Sequence, residues 1–130
     1  MEYHEVMTES VTDFLRDEGK KSAFLGHIII TALEGGIQYW GEIGYQYEWE
    51  GREDDVVAHV IDDDDGRGYE VNIETIRRGI SLILIGDVKY NRDLRENLYE
   101  ACSNREAGEI DQSIADDILQ AGLFGEIIYC

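Results

Sequence analysis

Glu34-Gly35-Gly36-Ile37-Gln38-Tyr39-Trp40-Gly41-Glu42-Ile43-Gly44-Tyr45-Gln46-Tyr47-Glu48-Trp49-Glu50 is the stretch in which the apolar period of the chain changes. Upstream, apolar residues recur at helical spacing. From Ile37 onward, Tyr39, Ile43, Tyr45, Tyr47 and Trp49 alternate with Trp40, Glu42, Gln46, Glu48 and Glu50, which is the period of a strand with one buried and one wet face. The paired glycines let the backbone turn sharply out of a helix, and the aromatics after them are placed to pack on it. If the alternation runs without a bulge at Gly41 or Gly44, Trp40 falls on the polar side beside Glu42 and Glu48. An exposed Trp there would anchor a partner; a covering helix from the C-terminal half would bury it instead.

Working outward, Ala23, Phe24, His27, Ile28, Ile30 and Leu33 fill a helix that Ser22 can cap, apolar nearly all round and so expected to be buried. Before it, Met7, Val11, Phe14 and Leu15 mark an amphipathic helix over residues 5 to 18, stopped by Gly19. Downstream, Asp55 to Ile61 reads as a central strand and Tyr69, Val71 and Ile73 as a third, joined to it by the turn from Asp62 to Gly68. Helices follow: one over about 74 to 85 between Asn72 and Gly86, one opened by an Asp93 and Glu96 capping box, and one capped by Asp111 and ended by Gly122. The tail Gly125 to Tyr129 is either a short fourth strand or a docked terminus. The expected fold is α+β: two N-terminal helices, a three-stranded antiparallel meander and three C-terminal helices. With no Pro, no repeat and no composition break, residues 1–130 read as a single domain.

Charge is the strongest compositional signal. The formal net charge is −18, from 29 Asp and Glu against 11 Lys and Arg on 130 residues. Such a surface repels nucleic-acid backbones and anionic lipid, so its electrostatic partners are cations, water or a basic protein surface. A hydrophobic content of 43% with eight Tyr and two Trp argues for a folded chain rather than a disordered one. No apolar run approaches the roughly 18 residues of a spanning helix, and the acidic N-terminus lacks a signal-peptide pattern. A cytoplasmic setting in a host cell is expected.

The motifs that carry chemistry are sparse. Aligning Asp62-Asp63-Asp64-Asp65-Gly66 on a calcium loop puts Ile61 first and Asn72 twelfth, so both ends fail and a solvated hairpin tip is the simpler reading. His27 and His59 fall within apolar elements, where a packed imidazole is usual; His4 is near the start. Cys102 and Cys130 form neither a zinc spacing nor a disulfide framework. No phosphate-binding glycine loop or nucleophile elbow is present. No catalytic residue, metal or cofactor is therefore assigned, and an enzyme built on a carboxylate or His59 stays as an alternative. Glu5, Glu9, Asp13 and Asp17 are the more specific feature, since their spacing of four stacks them on one helix face about 6 Å apart. That interval approximates the spacing of phosphates along a nucleic-acid strand, although a solvated face also accounts for it.

Three segments, Glu34 to Trp40, Thr75 to Ile80 and Asp116 to Tyr129, resemble a group of small proteins of uncharacterised activity carried by actinobacterial phages and prophages. The resemblance implies a mobile-element context and no particular activity. The chain departs from that pattern at Gln38 and in its more acidic loops. Together with the charge, it leads to an expected function as an acidic interaction protein that binds a basic, nucleic-acid-handling host protein, as a mimic of DNA. The expected contact residues are Glu5, Glu9, Asp13, Asp17, Trp40, Glu42 and Glu48. Direct nucleic-acid or membrane binding is not expected, and the oligomeric state is open. The alternative is a salt-adapted binding module whose acidity maintains hydration.

Overall fold

The computed structural model describes residues 18–46, 56–104 and 106–129. The expected helix over residues 5 to 18, with its stripe of Glu5, Glu9, Asp13 and Asp17, and Glu48 lie outside those residues, apart from position 18 itself. The described architecture is α+β: one N-terminal helix, a three-stranded antiparallel meander, then three helices.

Helix α1 runs Glu18–Thr31. Gly19 and Ser22, read from sequence as a stop and a cap, both lie inside it, so among the described residues one N-terminal helix stands where a break between two was expected. A helical glycine costs about 1 kcal/mol relative to Ala. Burying Phe24, Leu25, Ile28 and Ile29 outweighs that, at roughly 1.5–3 kcal/mol for each large side chain. His27, expected to be packed, is exposed. The helix passes into a π-helical turn, Ala32–Gly36, closed by the Ile37 N–H donating to the Ala32 carbonyl at 3.1 Å.

A tight turn follows, in which the N–H groups of Trp40 and Gly41 both donate to the Ile37 carbonyl at 2.9 Å. Strand β1, Gly41–Gln46, therefore begins after Trp40 rather than before it. It pairs with β2, Ala58–Asp62, which pairs with β3, Gly68–Val71, in the order β1-β2-β3. The register shifts between Ile43 and Tyr45, which places a bulge at Gly44. Ile43 and Tyr45, expected on one buried face, are instead both exposed. Strand β2 is central, with Ala58, Val60 and Asp62 facing the core.

Helix α2, Ile73–Ile85, starts at an Asn72 capping box with Thr75 and stops at Gly86 in the left-handed region, as the sequence suggests. Helix α3, Arg92–Asn104, is capped by Asn91, whose Oδ1 accepts from the N–H groups of Asp93 at 2.8 Å and Leu94 at 3.1 Å. The Asp93 and Glu96 box is thus displaced: Asp93 is inside the first turn, and Glu96 accepts from Arg92. After a 3-10 turn, Ala107–Glu109, helix α4 runs Gln112–Phe124 under the predicted Asp111 cap. It ends at Gly125, not Gly122. Gly122 is interior because α2 and α4 cross there: a Cβ on Gly122 would lie 2.0 Å from the Thr75 carbonyl oxygen, and one on Gly79 would lie 2.0 Å from that of Ile118. The tail, Ile127 to Tyr129, forms no strand; it is docked by side chains.

Candidate functional site

Helix α4 carries Ile114, Ala115, Ile118 and Leu119 into the core, and within that apolar run stand Asp116 and Gln120. Four residues apart, they share a helix face. Asp116 is 1% exposed, and a buried carboxylate persists only when its oxygens are satisfied. Here Oδ1 accepts from Trp40 Nε1 at 2.7 Å, while Oδ2 accepts from Gln120 Nε2 at 2.8 Å and from the Tyr39 hydroxyl. Burial pushes the carboxyl above the ordinary carboxylate range, with the bonds from Tyr39, Trp40 and Gln120 opposing the rise. The Tyr39 hydroxyl moves up too, through desolvation and then through its bond to Asp116, so it holds its proton and donates.

Gln120 extends the network to the tail. Its Oε1 accepts from the N–H groups of Ile128 at 3.0 Å and Tyr129 at 2.8 Å, and its Nε2 donates to the Tyr129 carbonyl at 3.0 Å. One buried amide thereby takes the role of a neighbouring strand. The Tyr129 ring lies parallel to Trp40 with centroids 5.3 Å apart, and its hydroxyl donates to Asp62 Oδ2 at 2.7 Å. Phe124 meets Trp40 edge-on at 5.6 Å and Tyr69 at 5.1 Å, which joins the end of α4 to the sheet. Gly36 permits the approach of the π turn, since a Cβ there would lie 2.8 Å from the Gln112 carbonyl oxygen and 2.9 Å from Asp116 Cβ. With its partners in place, Asp116 works as a structural tie rather than a base.

Successive side chains on a helix diverge by about 100°, so Asp117 points away from Asp116, toward the surface. There the Tyr90 hydroxyl donates to its Oδ2 at 2.8 Å. The Asp117 carboxyl is raised to about 6, chiefly by burial, with the charges of Asp116 and Asp111 adding and the Tyr90 bond opposing. Asp117 lines a cleft of about 380 Å³ with Tyr39, Lys89, Tyr90, Ser113 and Ile127. A second hollow of about 310 Å³, between Gly35, Gly36 and Gln112, adjoins it across Tyr39 and Ser113, which line both. Compared with protein-family models, curated proteins and solved structures, the chain matches none.

Of the sequence-predicted contact residues, Trp40 and Glu42 lie within the described residues, and Glu5, Glu9, Asp13, Asp17 and Glu48 lie outside them. Trp40 is 2% exposed, buried under Phe124 and Tyr129, because the turn at Ile37 rotates it inward and turns Tyr39, 54% exposed, outward. It is a core residue and offers no surface anchor. Glu42 is exposed on β1. His59 is half-buried on the outer face of β2, stacked on Tyr45 at 5.2 Å. The aspartate run forms the β2–β3 turn, with Asp62 Oδ1 accepting from the Asp64 N–H and Asp65 Oδ1 from the Arg67 N–H. Among the described residues no group of three His, Cys, Asp or Glu has a metal-holding arrangement. Burial pushes the Cys102 thiol up to about 12, so it stays protonated and a poor nucleophile. No described helix is long and apolar enough to cross a membrane. Sequence reading missed Tyr39, Tyr90, Asp116, Asp117, Gln120 and Tyr129 as a constellation. The available signal was the pair Asp116 and Gln120 inside I-A-D-D-I-L-Q-A, polar residues at helical spacing in an apolar run.

Proposed function

We propose that the protein acts by binding a basic, nucleic-acid-handling protein through its acidic surface, as a mimic of DNA, in the mobile-element context suggested by its sequence segments. The observation that carries this reading is where four of the described arginines are engaged. Arg78 donates to the Gly122 carbonyl at 3.0 Å, and Arg95 to those of Ile83 at 2.9 Å and Val88 at 3.3 Å. These guanidinium groups are held on backbone oxygens, two of them in or beside the last turns of α2 and α4, where a cation is favoured. The pairs Arg77 with Glu74 and Arg92 with Glu96 are partly or largely exposed, the class of ion pair that contributes 0 to about 1 kcal/mol. Glu34, Glu42, Asp63, Asp64, Glu70, Glu100 and Glu106 face solvent. At the α3–α4 connection Glu109 is raised by its bond to Glu106 and by that group's charge, a sign of carboxylates crowded together. A surface left this negative is complementary to a cationic groove and draws it in at long range.

In this reading the contact residues are Glu42 with the stripe Glu5, Glu9, Asp13 and Asp17. The test is affinity capture from an actinobacterial lysate with the immobilised chain, followed by elution with duplex DNA. Recovery of a basic nucleic-acid-binding protein that DNA releases, and that a chain with the four stripe carboxylates changed to Asn or Gln fails to retain, is the expected result. Capture of nothing, or of proteins that DNA does not displace, would count against the proposal.

A further inference from the structure

The cleft beside Asp117 has a composition that the electrostatic reading of the surface does not use. It is about 380 Å³ in volume, within the range of small-molecule sites though at its lower end. Its walls combine Tyr39 and Tyr90 with Ile127, and its polar lining residues are Asp117, Lys89, Asn91 and Ser113. Asp117 is fixed by one bond, from Tyr90 to Oδ2; among the described residues Oδ1 has no protein donor. Lys89 forms no ion pair among the described residues, although carboxylates abound on this chain. One negative and one positive group therefore line the same partly apolar hollow without neutralising each other.

We propose that this cleft binds a small zwitterion of the free amino-acid class, its ammonium group on Asp117, its carboxylate on Lys89 and its side chain against Tyr39, Tyr90 and Ile127. A simple amine would satisfy Asp117 and leave Lys89 facing a second cation. A simple acid would satisfy Lys89 and meet Asp117 with like charge. The zwitterion pairs both, and the aromatic walls add cation–π attraction for the ammonium group. Tyr90 positions the site: its bond to Oδ2 fixes the carboxylate and leaves Oδ1 for the ligand.

The test is a titration of the full chain, observed by amide NMR, with each of the twenty L-amino acids in turn at millimolar concentration. Each binder is compared with its decarboxylated amine and its deaminated acid. At least one amino acid is expected to shift the amides of Lys89, Tyr90 and Asp117. Its amine and acid analogues, and the variants Asp117→Asn and Lys89→Gln, are each expected to bind about tenfold or more weakly, since each loses one charge-assisted hydrogen bond. Lys89 is exposed, so Lys89→Gln leaves the fold intact and decides the matter even if Asp117→Asn does not fold. The absence of any amino acid that moves these amides would overturn the proposal. Binding of the amine as tightly as the parent amino acid, or full retention of affinity in Lys89→Gln, would overturn it as well. Neither result depends on whether a basic protein partner is captured, so the two proposals fail separately.

Discussion

Asp116 shows how one residue can hold several elements in place. Asp116→Ala would leave the Trp40 indole N–H, the Tyr39 hydroxyl and the Gln120 amide without their buried acceptor, at a cost of roughly 3–5 kcal/mol. Asp116→Asn keeps one acceptor oxygen and is expected to cost less, about 2 kcal/mol. Urea denaturation followed by Trp fluorescence measures both, and equal stability of the Ala variant and the native chain would refute the assignment. Asp117 yields a prediction in pH. Its folded value, about 6, lies above the ordinary aspartate value of 3.8, so between those values the folded state holds more protons than the unfolded one. Asp117 therefore contributes stability at low pH that is lost as pH rises from about 4 through 6. The charges of Asp116 and Asp111 add to the rise, and Lys89 lines the same cleft. The melting temperature of Asp117→Asn, measured relative to the native chain, is expected to rise between pH 4 and pH 7. A difference flat in pH would show that Asp117 titrates normally.

Among the elements, the crossing of α2 and α4 depends on two glycines. Gly79→Ala and Gly122→Ala each place a methyl group 2.0 Å from a carbonyl oxygen of the facing helix, and backbone cannot yield as a flexible side chain does. Each is expected to cost about 3 kcal/mol. Gly86→Ala is the contrasting case, because nothing lies within 4 Å of its Cβ position and only the backbone angle of +89° resists the substitution. It should cost about 1 kcal/mol. Thermal melts that rank Gly86→Ala as damaging as the other two would contradict the close helix approach. Sequence patterning made α2 legible, because its cap, its apolar face and its stop glycine are all local. Trp40 and the docked tail were not legible in the same way. The Trp40 side chain turns inward because of a backbone turn closed on Ile37 and an acceptor, Asp116, that is 76 residues away. Tyr129 is held by the amide of Gln120 and the carboxylate of Asp62 rather than by a strand.

For the whole molecule, a net charge of −18 implies self-repulsion that salt relieves. Circular dichroism melts from 20 mM to 1 M NaCl are expected to show an increase of about 4 °C or more, with the fold already complete at low salt. A chain unfolded at low salt and folded only near molar salt would instead support the salt-adapted reading. The acidity, the α+β class, the meander and the helix α2 follow from composition and local periodicity, because each rests on residues close together in the chain. The candidate site does not. Tyr39, Trp40, Asp62, Asp116, Gln120 and Tyr129 come from the turn before β1, the end of β2, helix α4 and the tail. Each alone reads as an ordinary polar or aromatic residue. Only the tertiary structure settled that Trp40 is core, that Tyr39 is surface and that Asp117 shares a cleft with Lys89. The physical reason is that a buried carboxylate must find its donors wherever the fold supplies them, and those donors need not be near it in sequence.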